Sequence, residues 1–509
     1  MSELLTAFLP ALPTLPMLQA FPWLSLLLLL LPTGALLTGL MPAREARWAA
    51  LTTALLVLAL SLGLVAGFER SAAGFQFMES SAWMPSLGIH YLLGVDGLSI
   101  LFLPCTALLF VTVIIASWNA IRHLPRLYFA LLLLLECTIL GIFTALDGML
   151  FFLFWELTLM PLFFLISLWG NGANRRFAAV KYTLFMLAGG LPLLIGLVVL
   201  ALQQPSGISF AYPELLQASA HGAISQGVQV TVFFLLLVGF GVKIPVFPLH
   251  TWLPVVAQEG PAGVVAVLTG LKVGAYGLLR FALPLVPDAA HDYQWVLVGL
   301  GMIGVLYGAV TALGQTGIRR MLAFSSLSHV GLVVLGIASF SVQGIEGAVF
   351  QLLNFTLVSG GLFLLTGFLH QRTGSTEMLS LGGVAQSMPL LAAAFFFFGL
   401  TGIGMPATSG FPAEFLLIVS ILAIHTGAGL VVLFVVVLGA AYFLSFYRQA
   451  FLGVAQHDII RDAPDLKRRE RGVLFILALL VLVFGFYPQA ILTVIDTSSQ
   501  AWVAQIKVD

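Results

Sequence analysis

Five ionisable side chains stand inside long apolar runs of this 509-residue sequence: Glu136, Glu156, Lys243, Lys272 and Glu414. An ionised side chain at the middle of a bilayer costs about 2.5–3.5 kcal/mol on insertion scales. Such a group needs a partner, a hydrated cavity or a neutral state. Several in one bundle point to groups that gain and lose protons, and so to an ion path. The competing reading is a set of buried ion pairs that only hold helices together.

The flanking residues sharpen this. Lys243 lies in Gly241-Val242-Lys243-Ile244-Pro245-Val246-Phe247-Pro248-Leu249-His250. Pro245 and Pro248 remove backbone donors and break a helix there. Broken backbone inside a membrane is tolerated only beside protein or a water-lined cavity. Glu414 follows a second break that contains Pro406 and Pro412. His250 closes the first break, and His329 follows Ser325, Ser326 and Ser328. Histidine titrates near neutrality and suits a relay. Packing is an equal reading for His250, whereas the serines favour a relay at His329.

The elements that must carry these residues are membrane helices. Hydrophobic residues make up 60% of the chain and charged residues only 8%, against about 25% charged in soluble domains. Apolar runs near 22–41, 48–66, 98–119, 126–145, 149–169, 178–202, 228–248, 262–283, 294–314, 321–339, 345–369, 389–423, 428–447 and 472–494 predict about fourteen transmembrane helices in an all-α integral membrane fold. The seventh and twelfth are the broken ones. Breaks five helices apart suggest two five-helix repeats of inverted topology. The expected organisation is 1–125 (helices 1–3), 126–285 (first repeat), 286–450 (second repeat) and 451–509 (a cytoplasmic loop and helix 14).

Arginine and lysine concentrate in alternate loops: Arg44, Arg47, Arg122, Arg126, Arg175, Arg176, Arg319, Arg320, Arg372, Arg448, Arg461 and Lys467–Arg471. The opposite loops hold only Arg70 and Lys507. The positive-inside rule puts the first set in the cytoplasm and both termini on the periplasmic or luminal side. Residues 1–21 lack a positive n-region and read as a lead into the first span. Lys181 and Arg280 lie near span ends, where they are expected to snorkel. The net charge is zero, which speaks against nucleic acid. Cys105 and Cys137 are too few for a cysteine cluster, and no metal site or nucleotide fingerprint is expected.

The motifs resemble a known family. Gly94-Val95-Asp96-Gly97-Leu98-Ser99, the Phe-Trp-Glu ending at Glu156 with Pro161, and Val242-Lys243-Ile244-Pro245 through His250-Thr251-Trp252-Leu253-Pro254 are similar to the M chain of bacterial respiratory complex I. That chain corresponds to mitochondrial subunit 4 and to the D chain of the photosynthetic complex. Lys272 with Ala275-Tyr276-Gly277, Arg319-Arg320, Ser328-His329-Val330-Gly331, and Gly410-Phe411 with Glu414 continue the match across nearly the whole chain. The resemblance implies that Glu156 pairs with Lys243, that Lys272 is the central proton carrier, that His329 belongs to the hydrated axis, and that Glu414 is the terminal site. It implies a proton-translocating antiporter-like subunit without a cofactor of its own. Iron–sulfur clusters and quinone would then belong to partners: other membrane-arm subunits and a peripheral electron-input arm.

Three positions depart from the family pattern. The loop Val255-Val256-Ala257-Gln258-Glu259-Gly260 lacks the usual Asp and His, which leaves Glu259 as the candidate stand-in. Phe355 replaces a usual His after Asn354, and Gly317 a usual Asp. Glu136 has no place in the family scheme. Two alternatives stay open: the cyanobacterial carbon dioxide-concentrating complex with a carbonic anhydrase-like partner, and a multi-chain sodium/proton antiporter. The setting would be a bacterial inner membrane or a cyanobacterial thylakoid.

Overall fold

Lipid offers no hydrogen bonds to a backbone, so each long apolar run must close its own bonds as a helix. The computed structural model describes residues 21–205, 207–455 and 457–506. The expected lead over 1–21 falls, but for Phe21, outside them, as does Lys507. The chain opens with α1 (Trp23–Leu40) and α2 (Ala46–Ala66) and then a hairpin of β1 (Gln76–Met84) and β2 (Ile89–Val95). Next come α3 (Phe102–Ser117), α4 (Pro125–Thr144), α5 (Gly148–Leu157), α6 (Leu159–Trp169) and α7 (Arg175–Leu202). The seventh and eighth spans are α8 (Gln226–Lys243) with α9 (Trp252–Glu259), and α10 (Ala262–Gly270) with α11 (Val273–Gly277). The second half holds α12 (Gln294–Leu313), α13 (Ile318–Ala338), α14 (Val342–Thr373), α15 (Pro389–Gly402), α16 (Gly410–Ile424), α17 (Thr426–Phe451), α18 (Arg468–Phe486) and α19 (Gln489–Ile506).

Among the described residues, eleven helices are long and apolar enough to cross a membrane, or twelve if the pair α18–α19 is one span. The shorter apolar helices are α3, α15 and α16. Counting α3 as one further span and the broken pair α15–α16 as another brings the total to the fourteen expected. The α14 span is buried throughout and forms the central pillar.

The hairpin was not foreseen. It is antiparallel, with Glu79 opposite Leu93 and Ala82 opposite His90. It caps helix ends from outside the bundle. The Glu79 carboxylate accepts from the Leu24 N–H at 2.6 Å, at the exposed N-terminus of α1. Asp147 caps α5 through the Met149 and Leu150 N–H groups and also accepts from the His90 N–H of β2 at 3.0 Å. Acidic groups at helix N-termini complete orphan donors and oppose the helix dipole.

Two corrections concern span ends. The last span does not run over 472–494. Pro488 halts α18, and α19 departs at 66°. From there α19 ties the outer loops together, because Ser498 accepts from the Gly97 N–H at 3.0 Å and Trp502 donates to the Leu279 carbonyl at 2.8 Å. Nor does Arg280 snorkel. It is 4% exposed, and its guanidinium pairs with Asp96 at the end of β2. Tyr276 and Phe75 rings flank it. The hairpin brings a carboxylate to the arginine, so the charge is neutralised within the protein instead of at the lipid surface.

Candidate functional site

Breaking a helix frees carbonyl oxygens, and each break in this bundle recruits a side chain from elsewhere to satisfy one. At the first break Pro245 ends α8, and the Trp252 indole donates to the Val242 carbonyl at 2.9 Å. The fifth span is also broken, between α5 and α6, at Thr158. There the Lys243 ammonium donates to the Trp155 carbonyl at 3.3 Å and to the Thr158 hydroxyl at 3.0 Å. It also lies 3.9 Å from the centre of the Trp155 ring, a cation–π contact that stabilises a desolvated charge.

This geometry corrects the expected pair. Among the described residues, Glu156 and Lys243 form no ion pair within 4 Å. Lys243 reaches the residues on either side of Glu156 in sequence, while the Glu156 carboxylate points to Gly190 of α7, where a Cβ would collide with it. The lysine charge acts on Glu156 only through space. A helix turn separates the two sides of residue 156, and periodicity alone did not settle which side faces Lys243.

The eighth span breaks at Leu271–Lys272 without a proline, so sequence gave no warning. Thr356 of α14 donates to the freed Gly270 carbonyl at 3.3 Å. Lys272 donates to the Ser326 hydroxyl of α13 at 2.7 Å. Gly274, two residues on, packs against the Lys243–Ile244 peptide so closely that a Cβ would clash. That contact joins the two lysine-bearing breaks.

At the break between α15 and α16 His329 takes the freed carbonyl. Its Nε2 lies 2.7 Å from the Gly402 oxygen at the end of α15, and its Nδ1 lies 2.7 Å from the Ser325 oxygen. Two N–H donors satisfy both contacts and one does not. Glu414 of α16 stands 3.5 Å from Nε2 and balances such a charge. Gly404, at φ +72°, leaves the room that the Glu414 carboxylate fills. Behind them Ser409 donates to Asn354 at 2.6 Å, and Ser325 and Tyr442 share a hydrogen bond of 2.7 Å.

Lys272 and His329 are not in contact. The Phe355 ring neighbours both, 5.4 Å from the Lys272 ammonium and 6.3 Å from the His329 ring. Beside it is a chamber of about 30 Å³ lined by Ser326, His329, Gln351 and Asn354, room for about one water molecule. His250 is buried against Phe247, Tyr307 and Phe324, and its Nδ1 has no partner within the structure. Glu136 is fully buried in α4 with neither carboxylate oxygen hydrogen-bonded. Of the helix-break prolines, Pro245 and Pro248 fall between α8 and α9, Pro406 falls between α15 and α16, and Pro412 lies in the first turn of α16. Among the described residues no three His, Cys, Asp or Glu side chains gather as a metal site.

Glu259 does not line a path. Its carboxylate accepts from the Asn174 N–H at 2.9 Å and its carbonyl from the Asn171 N–H at 2.8 Å. Next to it the buried Arg319 donates to the Gln258 and Gly260 carbonyls at 3.1 and 2.9 Å. Sequence reasoning missed Thr158 and Gly402, and it named Ser326 and Trp155 without pairing them with Lys272 and Lys243. Each serves as a partner through a hydroxyl, ring or carbonyl, and none of these groups carries a charge signal in sequence.

Broken helices with buried lysines, a histidine and carboxylates at the breaks define a membrane bundle of the antiporter-like class. The family profile "NADH:quinone oxidoreductase/Mrp antiporter, TM" matches residues 145–439. NADH-quinone oxidoreductase subunit M of Rhodobacter capsulatus is 35% identical over 463 residues, covering 89% of this chain and 90% of the relative. A Synechococcus NAD(P)H-quinone oxidoreductase chain 4 is 37% identical over 504 residues, covering 96% and 94%. A chain of respiratory complex I from Thermus thermophilus superposes with a TM-score of 0.87 at 30% identity, covering 95% of this chain and all of that one. A chain of the Dietzia Mrp complex, at 23% identity and TM-score 0.82, shares the fold. This chain belongs to the subunit M/chain 4 family, the antiporter-like membrane-arm subunits of complex I-type quinone oxidoreductases.

Proposed function

We propose that this chain moves protons across the membrane along Lys243, Lys272, His329 and Glu414, driven by electron transfer in partner subunits. The observation that carries this reading is that Lys243 and Lys272 sit at helix breaks, while His329 of the unbroken α13 holds the carbonyl freed at a further break beside Glu414. Each cation holds a hydroxyl or a freed carbonyl and each can exchange its proton without unfolding a helix. Glu156 acts on Lys243 as a through-space charge, and His250 extends the polar line between the broken seventh span and α13. The breaks at corresponding places support two inverted repeats, 126–285 and 286–450, flanked by 1–125 and 451–509. The arginine-rich loops support a cytoplasmic location for the end that carries Arg122, Arg175 and Arg372. The redox groups, iron–sulfur clusters and quinone, would reside in the peripheral arm and neighbouring membrane subunits. A bacterial plasma membrane or a thylakoid fits equally.

A Lys243→Ala or Lys272→Ala complex, purified with its partners and reconstituted in vesicles, tests this. The expected result is at least a tenfold loss of proton translocation in an assembled complex. Undiminished translocation by both variants overturns the proposal. Mass spectrometry of the co-purifying chains separates a redox complex from an assembly carrying a carbonic anhydrase-like protein or one of small membrane subunits alone.

A further inference from the structure

We propose that protons reach Lys272 through a cavity at the arginine-rich end of the bundle, between α3, α4, α10 and α14, with His123 and His370 as its exchanging groups. The inference rests on the proton path above and adds its inlet. The cavity measures about 330 Å³, room for about ten waters at ~30 Å³ each. Arg122, His123, Asn171, His370 and Gln371 give it a polar wall. Two imidazoles line this wall, and imidazole is the side chain suited to exchanging protons with water near neutral pH.

The cavity touches the start of the helix that ends at Lys272. Gly263, in the first turn of α10, packs against Ser117 and the Tyr128 hydroxyl, which share a hydrogen bond of 3.1 Å. Seven residues of α10 then lead from Gly263 to Gly270, a rise of about 10 Å. The intervening packing is apolar: Val113 of α3 lies against Gly263 and Leu109 against Gly270, and Val264 and Val267 between them are buried. Water therefore stops short of the lysine, as an inlet must if it is not to leak. Thr269 and Thr356 place hydroxyls at the lysine end of this column.

The alternative inlet, the loop at 255–260, is occupied by structural ties. Arg319 binds its carbonyls and the Glu259 carboxylate is spent on Asn174. Pro261, which follows that loop, lines the cavity together with the two histidines.

The test uses Ala116→Cys, a wall position, in the intact complex in inside-out vesicles. A membrane-impermeant cationic methanethiosulfonate is added, against the unsubstituted complex with Cys105 and Cys137. The expected result is labelling at position 116 and at least a twofold fall in proton translocation, reversed by a thiol reductant. A His123→Gln/His370→Gln double variant is expected to show a fall of the same order without label. Absence of labelling, or labelling with unchanged translocation, overturns the inlet. Lys272→Ala measured in parallel separates the two proposals. If it abolishes translocation while the label does nothing, the inlet alone fails; if it leaves translocation intact, the path itself fails.

Discussion

The Lys243 ammonium sits on Trp155, 3.3 Å from its carbonyl and 3.9 Å from its ring centre, and not on Glu156 next door. The lysine is thereby held by dipoles and a π-face, while the carboxylate is left free to change its influence. A charge held by neutral groups gives up its proton without leaving a buried anion unpaired. This arrangement suits a carrier better than a tight ion pair, whose rupture costs about 3–5 kcal/mol.

Thr158 should therefore matter as much as the acid. Thr158→Val removes a hydrogen bond to a charged group, about 1.5–3 kcal/mol, and is expected to slow proton translocation roughly tenfold. Thr158→Ser should restore it. Translocation rates of the two variants in reconstituted complex decide, and a normal rate for Thr158→Val removes the threonine from the path.

Phe355 is expected to set the resistance between Lys272 and His329. Phe355→His places an exchangeable group in the gap and should raise the passive proton conductance of the complex. Phe355→Leu should not. The decay of a pH gradient across vesicles without electron donor measures it. Equal decay for both would mean that the proton does not pass this ring.

Asp96 and Arg280 form a buried structural pair. Asp96→Ala leaves the 4%-exposed arginine uncompensated, at about 3–5 kcal/mol. The amount of assembled complex on native gels should fall sharply, and thermal denaturation should shift down. Unchanged assembly would show that Arg280 finds water or another acceptor.

Glu136 behaves oppositely. Both its oxygens are buried without a partner, a desolvation cost of about 1–3 kcal/mol. Glu136→Leu is expected to leave translocation unchanged and to raise thermal stability. A loss of translocation would assign α4 a role in the path.

Composition and spacing alone determined the membrane class and the two proline breaks, because lipid leaves a long apolar run only one way to close its hydrogen bonds. They also placed Lys243, Lys272, His329 and Glu414 inside the bundle, because a charge in such a run is costly wherever it points. The partners of those charges came only from the tertiary structure. Residue 158 rather than 156 faces Lys243 because of a turn of helix that the apolar pattern leaves undetermined. The break at Lys272 carries no proline and is supported from afar: Thr356, 86 residues from Gly270, donates to the freed carbonyl, and Ser326 accepts from the lysine itself. Arg280 looked like a snorkelling span-end residue until the β-hairpin delivered Asp96. The loop at 255–260 gained its ties from Arg319 and Asn174, which are contacts between distant segments and carry no local signature.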